Sequence, residues 1–309
     1  MSDIFLSDIG VAIVAPGGYA ADEAILRHAV ESFQAHGCRV HDYYQPADKF
    51  QRFGGTDQAR LLQLEQATAN PDVQVVIAVR GGYGMSRLLP KLDFRQMAAS
   101  GKLFVGQSDF TAFHMGMLQA GAISFAGPMI CDDFGRLDRS EFTMRHLVDC
   151  LNGPSHTIAV QAPGNPALDA AGPLWGGNLA MLTHLIGTPY LPAIDGGILF
   201  IEDVGEHPYR IERMLLQLHH SGILSRQKAL LFGDFSNYRL SDYDNGYDLE
   251  AMLAYLRATL QVPILTGLPF GHTRDKVTLA VGSAAQLVSD GHSWELTMRN
   301  YPTLATTAR

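Results

Sequence analysis

In the first 150 residues, short apolar runs alternate with longer segments in which apolar residues recur at helical spacing. The predicted strands are residues 11–15, 38–43, 73–79 and 102–105. The predicted helices are residues 22–36, a helix capped by Thr56 or Asp57 that ends at Ala69, and residues 110–119. The run 73–79 is nearly continuous in β-branched residues, which is typical of a strand buried on both faces. This alternation predicts a parallel sheet covered by helices, with ligands at the carboxyl ends of its strands.

The second half of the chain has a different pattern. Residues 153–173 contain four prolines and little periodicity, which predicts a connection between two domains. Beyond it, helices are predicted at 176–186, 209–220 and 248–260, and strands at 197–202, 229–235, 264–268, 277–281, 285–288 and 294–298. The predicted organisation is an N-terminal α/β domain (1–152), a linker (153–173) and a β-rich α+β C-terminal domain (174–309).

Composition narrows the range of functions. The chain has 309 residues, of which 47% are hydrophobic and 17% charged, as in a fully folded globular protein. A net charge of −8, without a basic stripe, argues against a nucleic-acid partner. The three cysteines lack a C-x-x-C pair and indicate a reducing compartment. No secretory signal and no apolar run of membrane-spanning length is found, so a cytoplasmic protein is expected.

Ser108 is a candidate nucleophile. It lies in Gly106-Gln107-Ser108-Asp109, between a predicted strand and a predicted helix. A serine at such a turn can reach a carbonyl carbon, and the amide of the following residue, Asp109, can donate to the oxyanion. The same pair is also an ordinary start of a helix, with a side chain capping the first turn.

A nucleophilic serine needs a base, and the base needs a group that orients it. His272 lies on a glycine-bearing turn after a predicted strand, where catalytic groups are often found. Glu202 and Asp203 end an apolar strand, and alternation directs only one of them into the cleft. Glu202 is the candidate to accept a hydrogen bond from the histidine. Simpler interpretations are a histidine bonded to backbone and two acids that are solvated or cap the next helix.

A glycine turn follows the predicted strand 73–79. Arg80-Gly81-Gly82-Tyr83-Gly84 lacks the G-x-G-x-x-G spacing of a dinucleotide-binding loop, and no acid follows at the expected distance. Gly81 and Gly82 instead allow backbone amides to approach a substrate oxygen, as the second half of an oxyanion hole. The sequence contains no H-E-x-x-H motif or Cys/His cluster with ligand spacing, so no metal is predicted.

Together these blocks resemble the LD-carboxypeptidase family of serine peptidases, which includes muramoyltetrapeptide carboxypeptidases and microcin-immunity peptidases. The resemblance extends over most of the chain. Its blocks, in order, are Ala15-Pro16-Gly17, Arg80-Gly81-Gly82-Tyr83-Gly84, Gly106-Gln107-Ser108-Asp109, Trp175-Gly176-Gly177-Asn178-Leu179, Phe200-Ile201-Glu202-Asp203-Val204-Gly205-Glu206 with Pro208-Tyr209-Arg210-Ile211, and Gly271-His272-Thr273. Six blocks in the same order are far more specific than any one of them alone.

The resemblance implies roles for these residues. Ser108 would be the nucleophile, Glu202 the orienting acid and His272 the base, and the Asp109 amide with one from the Gly81-Gly82 pair would hold the oxyanion. The implied fold is an N-terminal parallel-sheet domain of the Rossmann- or flavodoxin-like kind and a β-rich C-terminal domain, with the triad assembled across the cleft.

Two positions depart from the family pattern. Gln107 stands where members usually have an aromatic residue, and Ala280 stands where they usually have a proline. Neither belongs to the implied triad, but Gln107 flanks the nucleophile and could alter its pocket. Reaction type therefore follows from the resemblance more directly than specificity does.

The implied activity is cofactor-free hydrolysis of an L,D-peptide bond, releasing the C-terminal D-alanine of a cytoplasmic murein tetrapeptide through an acyl-enzyme. Arg80 or Arg274 is the candidate to bind the terminal carboxylate, and a homodimer is expected by analogy. One alternative is hydrolysis of an aminoacyl-nucleotide antibiotic, as the immunity members do. Residues 153–173 contain no Trp, Tyr or Phe to stack on a nucleotide, which favours the murein peptide. Another alternative is a non-catalytic two-domain protein whose glycine turns hold a small anion.

Overall fold

Two β-sheets form the centre of the protein, and the computed structural model describes residues 6–307. Within that range the strands are β1 (Gly10–Val14), β2 (Arg39–Asp42), β3 (Val75–Ala78), β4 (Leu103–Gly106), β5 (Ser124–Ala126), β6 (Ser155–Gln161), β7 (Leu168–Asn178), β8 (Ile198–Val204), β9 (Ala229–Ser236), β10 (Ile264–Leu265), β11 (Leu279–Val281), β12 (Ala284–Ser289) and β13 (Ser293–Arg299). The helices are α1 (Glu23–Ala35), α2 (Asp57–Ala69), α3 (Phe94–Ala99), α4 (Thr111–Gln119), α5 (Glu141–Asn152), α6 (Leu179–His184), α7 (Pro208–His220), α8 (Leu249–Thr259) and α9 (Leu304–Thr307).

The first sheet has the strand order β2-β1-β3-β4-β5-β11. Strands β1 to β5 run parallel to their neighbours, and β11 runs antiparallel to β5. Every residue of β1, β3 and β4 is buried, because both faces of a parallel sheet are covered. The parallel sheet predicted for the first half of the chain is therefore confirmed.

Helices α1 and α2 begin at side-chain caps. Asp22 accepts a hydrogen bond of 2.8 Å from the Ala24 amide at the start of α1. Thr56, and not Asp57, caps α2 by accepting one of 3.2 Å from the Ala59 amide. Each cap satisfies an amide that has no partner inside its helix, which explains why both helices start where the sequence predicts.

The second sheet has the strand order β10-β9-β8-β7-β12-β13-β6. Its β7-β8-β9-β10 part is parallel, and its β7-β12-β13-β6 part is antiparallel. Helices α6, α7 and α8 belong to the parallel part, in the connections between its strands. The predicted β-rich second half is thus confirmed.

Residues 153–173, predicted as a linker, instead supply β6 and the first half of β7. Three of the four prolines lie outside these strands, and β6 alternates exposed and buried residues in the manner of a half-buried strand. The predicted helix 176–186 is also too long at its start. Strand β7 continues to Asn178, which caps α6 by accepting a hydrogen bond from the Met181 amide.

Strand β11 also departs from the predicted domain division. It was assigned with the C-terminal domain, but it pairs with β5 at the edge of the first sheet. The chain therefore crosses back to the N-terminal half after residue 276 and returns to the second sheet at β12. A three-residue strand carries no local signal for its partner, so its pairing follows only from tertiary structure.

Candidate active site

Ser108 lies at the carboxyl end of β4, in what we call the nucleophile turn (residues 106–110). Its φ angle is +62°, in the left-handed region that side-chain-bearing residues seldom occupy. Gly106 precedes it without a side chain, since a Cβ there would stand 2.6 Å from the Phe110 ring. A serine held in a sparsely populated conformation, at a strand-to-helix turn, has the backbone of a nucleophile elbow.

The glycine turn (residues 81–84), which follows β3, packs directly on Ser108. A Cβ on Gly81 would lie 2.6 Å from the Ser108 Cβ and 2.8 Å from its Oγ. The same Cβ would lie 3.4 Å from the Asp109 amide nitrogen. Within residues 6–307 the amides of Gly81, Gly82 and Asp109 have no backbone or side-chain acceptor. Two adjacent turns thus carry backbone N–H groups without an acceptor in that range, close to the hydroxyl, and their role as an oxyanion hole stays a prediction.

The side chain of Asp109 locks these two turns together. Its Oδ2 accepts a 2.8 Å hydrogen bond from the Met85 amide, just beyond the glycine turn. Burial raises the pKa of the Asp109 carboxyl to about 6, although this amide acts in the opposite direction. The hydrogen bond to Met85 thus holds the nucleophile turn against the glycine turn.

His272 and Glu202 form a direct pair. Glu202, near the end of β8, is fully buried, and its Oε2 lies 2.7 Å from Nδ1 of His272. The His272 side chain remains 22% exposed, and its Nε2 bonds to no described protein atom. Asp203 points elsewhere and accepts a hydrogen bond from the Ala180 amide. Of the two acids, Glu202 is therefore the one that contacts His272.

The pair sets the charge state of the imidazole. Burial lowers the pKa of His272, but the hydrogen bond and the charge of Glu202 outweigh it, so that the pKa is raised. Burial raises the pKa of Asp203 to about 6. A carboxylate on Nδ1 holds the neutral ring in the tautomer that carries its proton there, which leaves Nε2 free to accept one.

The two halves of the site meet at a hydrogen bond between neighbours of the predicted catalytic residues. Gln107 donates from Nε2 to the Gly271 carbonyl oxygen at 3.2 Å, across 164 positions of sequence. No hydrogen bond joins the Ser108 hydroxyl to the His272 ring within the described range. The structure thus pairs Glu202 with His272, places Gly81 on Ser108, and connects these groups through Gln107.

The two candidate arginines differ in position. Arg80 lies beside Gly18 at the same rim, where a Cβ on Gly18 would stand 3.4 Å from the Arg80 Cδ. Its buried Nε has no hydrogen-bond partner in the described part of the chain. Arg274 is 58% exposed and donates to the Asp138 carbonyl oxygen, so its guanidinium is held at the surface. Of the two, Arg80 is the one at the rim that carries Ser108.

Two residues of the site have no role predicted from the sequence. Asn178, at the end of β7, donates from Nδ2 to both Glu202 (3.2 Å) and Asp203 (2.9 Å). A polar residue at the end of a buried strand was the available signal, but the segment was predicted as helix. Arg60 of α2 is fully buried and donates to the carbonyl oxygens of Pro16 and Gly84. Nothing local in α2 distinguishes this arginine from a solvated one.

Residues 6–307 contain neither a cluster of metal ligands nor a membrane-spanning helix. No group of three or more histidine, cysteine, aspartate or glutamate side chains there could hold a metal ion. No helix in the same range has both the length and the apolar character required to cross a membrane.

Comparison with known proteins supports the resemblance found in the sequence. The family model of the LD-carboxypeptidase N-terminal domain matches residues 11–127, and the family model of the C-terminal domain matches residues 171–287. The solved muramoyltetrapeptide carboxypeptidase of Oxalobacter formigenes is 52% identical, with a TM-score of 0.91 over 95% of this chain and 100% of that one.

Two further relatives align over most of their lengths. The murein tetrapeptide carboxypeptidase of Pseudomonas aeruginosa is 30% identical over 293 residues, which are 92% of this chain and 94% of that protein. The microcin C7 self-immunity protein of Escherichia coli is 25% identical over 279 residues, 79% of each chain. The chain therefore belongs to the LD-carboxypeptidase family.

Proposed function

We propose that the protein is a serine-type LD-carboxypeptidase that releases the C-terminal D-alanine of a murein tetrapeptide. The observation that carries the proposal is the hydrogen bond between the buried Glu202 and His272, joined through Gln107 to a serine in a left-handed turn. Relatives named for murein tetrapeptide, at 52% and 30% identity, support this choice of substrate.

The chemistry follows from the positions of the groups. His272 Nε2 takes the Ser108 proton while Oγ attacks the carbonyl carbon of the L,D-bond. The amides of Asp109 and the Gly81-Gly82 pair stabilise the oxyanion. The imidazolium then protonates the amine of D-alanine, which leaves, and a serine ester remains on the enzyme. Water, deprotonated by the same imidazole, hydrolyses the ester and restores Ser108.

Recognition of a carboxypeptidase substrate requires a cation for the free terminal carboxylate. Arg80 fits this role, because it adjoins the glycine turn and its buried Nε has no hydrogen-bond partner within residues 6–307. A guanidinium can bind a carboxylate through two parallel hydrogen bonds. An Arg80→Lys enzyme is expected to show a raised KM with a smaller change in kcat.

The test is incubation with murein tetrapeptide, with mass spectrometry for the tripeptide and free D-alanine. Ser108→Ala is expected to abolish release and to retain peptide binding by calorimetry. Full hydrolysis by Ser108→Ala would overturn the nucleophile assignment. Binding without turnover by the wild-type protein would favour the non-catalytic binding protein instead.

An aminoacyl-nucleotide is the second candidate substrate, because one relative is the microcin C7 self-immunity protein of Escherichia coli. Residues 153–173 lie largely in strands β6 and β7 and contain no Trp, Tyr or Phe, which favours the peptide. An aminoacyl sulfamoyl adenosine offered in the same assay separates the two: faster cleavage of the nucleotide would replace the murein assignment.

A cytoplasmic location and a homodimer complete the proposal. The free cysteines Cys38, Cys131 and Cys150 are buried or half-buried, as expected in a reducing compartment. Cell fractionation tests the location, and light scattering coupled to size-exclusion chromatography tests the dimer.

A further inference from the structure

The side chain of Gln107 is almost completely buried, with 1% of its surface exposed. It stands in extended backbone directly before Ser108, and its Nε2 donates to the carbonyl oxygen of Gly271, directly before His272. A single hydrogen bond therefore connects the residues that precede the nucleophile and the base.

The Gly271 carbonyl is an effective point at which to hold His272. The peptide bond is planar, so this oxygen and the His272 nitrogen move as one rigid unit. Gly271 has a φ of +143°, and a Cβ there would lie 3.0 Å from that of Asp234 and 3.3 Å from that of Glu202. Close packing on one side and the Gln107 bond on the other determine the orientation of this peptide.

The far end of the same segment is also fixed to the N-terminal half. We call residues 271–276 the histidine loop. Lys276 forms a buried ion pair of 2.9 Å with Asp133, and its amide donates to the Thr143 hydroxyl at 2.9 Å. The loop is thus anchored at both ends to the half that carries Ser108, and Gln107 supplies the anchor beside the base.

The second polar atom of Gln107 indicates that its amide group has a specific role. Oε1 is buried and has no hydrogen-bond partner among residues 6–307. An acceptor left alone in the interior is unfavourable, and an apolar side chain at this position would avoid it. What an apolar side chain could not do is donate to Gly271.

We propose that Gln107 is a positioning residue, whose side-chain amide ties the histidine loop to the nucleophile turn and thereby sets the separation of Ser108 and His272. The inference rests on the proposed function, because it gives these two residues their catalytic roles. It explains how a glutamine serves where an aromatic residue is usual in the family: a directed hydrogen bond takes the place of ring packing.

Gln107→Met tests the tether, since methionine keeps the length of the side chain and removes the donor. A displacement of about 1 Å between reacting groups can cost roughly a hundredfold in rate, so kcat is expected to fall tenfold to a hundredfold while KM changes less than threefold. Gln227→Met is the matched control. Gln227 is 8% exposed and bonds to Trp175, Ile194 and Ile223 at the opposite end of the strands, so its loss should lower Tm and leave kcat unchanged.

Gln107→Glu gives a second measurement, a pH dependence that a purely structural role of Gln107 would not produce. An ionised glutamate cannot donate to the Gly271 oxygen, whereas a protonated one can. The ratio of its kcat to that of the wild type should therefore rise as the pH falls, while the ratio for Gln107→Met stays constant. Should Gln107→Met fail to fold, this pH dependence alone decides. Equal kcat for wild type and a folded Gln107→Met, or a flat Gln107→Glu ratio, would overturn the tether.

Labelling with a fluorophosphonate separates this inference from the proposed substrate, because it reports the reactivity of Ser108 without any peptide. If the wild-type protein is labelled but leaves murein tetrapeptide intact, its substrate is a different one. In that case the slower labelling expected of Gln107→Met still tests the tether. A wild-type protein that is not labelled refutes the nucleophile, and the role of Gln107 with it. Equal labelling rates refute the tether alone.

Discussion

Replacing Glu202 by glutamine probes the centre of the proposed mechanism. The substitution keeps the shape of the side chain and removes its charge. In the wild type, Oε2 faces Nδ1 of His272 at 2.7 Å, and Oε1 accepts from Asn178 Nδ2 at 3.2 Å. The amide of Asn178 requires an acceptor, so the new glutamine places its oxygen toward Asn178 and its NH2 group toward His272.

This orientation determines the size of the effect. Hydrogen bonds to charged groups contribute about 1.5–3 kcal/mol, so the lost stabilisation of the imidazolium alone slows the reaction roughly 10- to 150-fold. The NH2 group facing Nδ1 of His272 also drives the ring proton to Nε2, where the mechanism needs an acceptor. The equivalent acid-to-amide change in Ser-His-Asp enzymes costs about 10⁴-fold, and we expect a loss of kcat between about 10² and 10⁴.

The pH dependence has a definite sign. Glu202 raises the pKa of His272, so its neutralisation lowers that pKa, and the base stays neutral to lower pH. The acid limb of kcat/KM for Glu202→Gln should therefore move to lower pH. Release of D-alanine from murein tetrapeptide, followed from pH 5 to 9, measures both effects.

The matched control is Glu206→Gln, which neutralises a glutamate that forms a surface ion pair of 3.6 Å with Arg210. It should retain wild-type kcat and the wild-type pH profile. A Glu202→Gln enzyme within fivefold of wild type, or an acid limb that moves to higher pH, would refute the role assigned to Glu202.

Three further substitutions test other parts of the structure. Gly81→Ala places a methyl group 2.6 Å from the Ser108 Cβ, so kcat should drop at least tenfold and Tm modestly; unchanged peptide hydrolysis would contradict the assigned packing. Lys276→Met leaves Asp133 buried without its cation, which should lower the free energy of unfolding by about 3–5 kcal/mol in urea titrations. A loss below about 1 kcal/mol would contradict a buried ion pair at this position. Burial lowers the pKa of His114 from 6.5 to about 4, so this residue favours unfolding as the pH falls through that window, by about 3 kcal/mol in total. Denaturation at pH 7.5 and at pH 4 should show that His114→Gln loses less free energy of unfolding between these pH values than the wild type does. Equal losses in the two proteins would show that His114 does not contribute to the pH dependence.

The sequence predicted those features of the fold that depend on local pattern. Continuous apolar runs, helical spacing and capping residues such as Thr56 locate the elements, because burial and orphan amides act over a few residues. Alternation along β8 also predicted that Glu202 and Asp203 point in different directions, and Glu202 is the one that contacts His272. These features depend on neighbours in sequence, which a local pattern can record.

The features that were missed depend on partners distant in sequence. Prolines on both sides of β6 obscured its strand pattern. The pairing of β11 with β5 has no local signal. The link from Gln107 to Gly271 and the double donation by Asn178 arise only when the sheets are assembled. The sequence could show that Gln107 was unusual for the family, but only the fold shows what its amide reaches.

The crossing of β11 into the first sheet has a consequence for biosynthesis. As the protein leaves the ribosome, β5 has no neighbour on its outer side until residues near 280 have emerged. An incomplete sheet exposes unpaired amides and carbonyls that can pair with another nascent chain. A fragment ending at residue 152 would keep that open edge permanently, so we expect it to self-associate rather than fold as an independent unit.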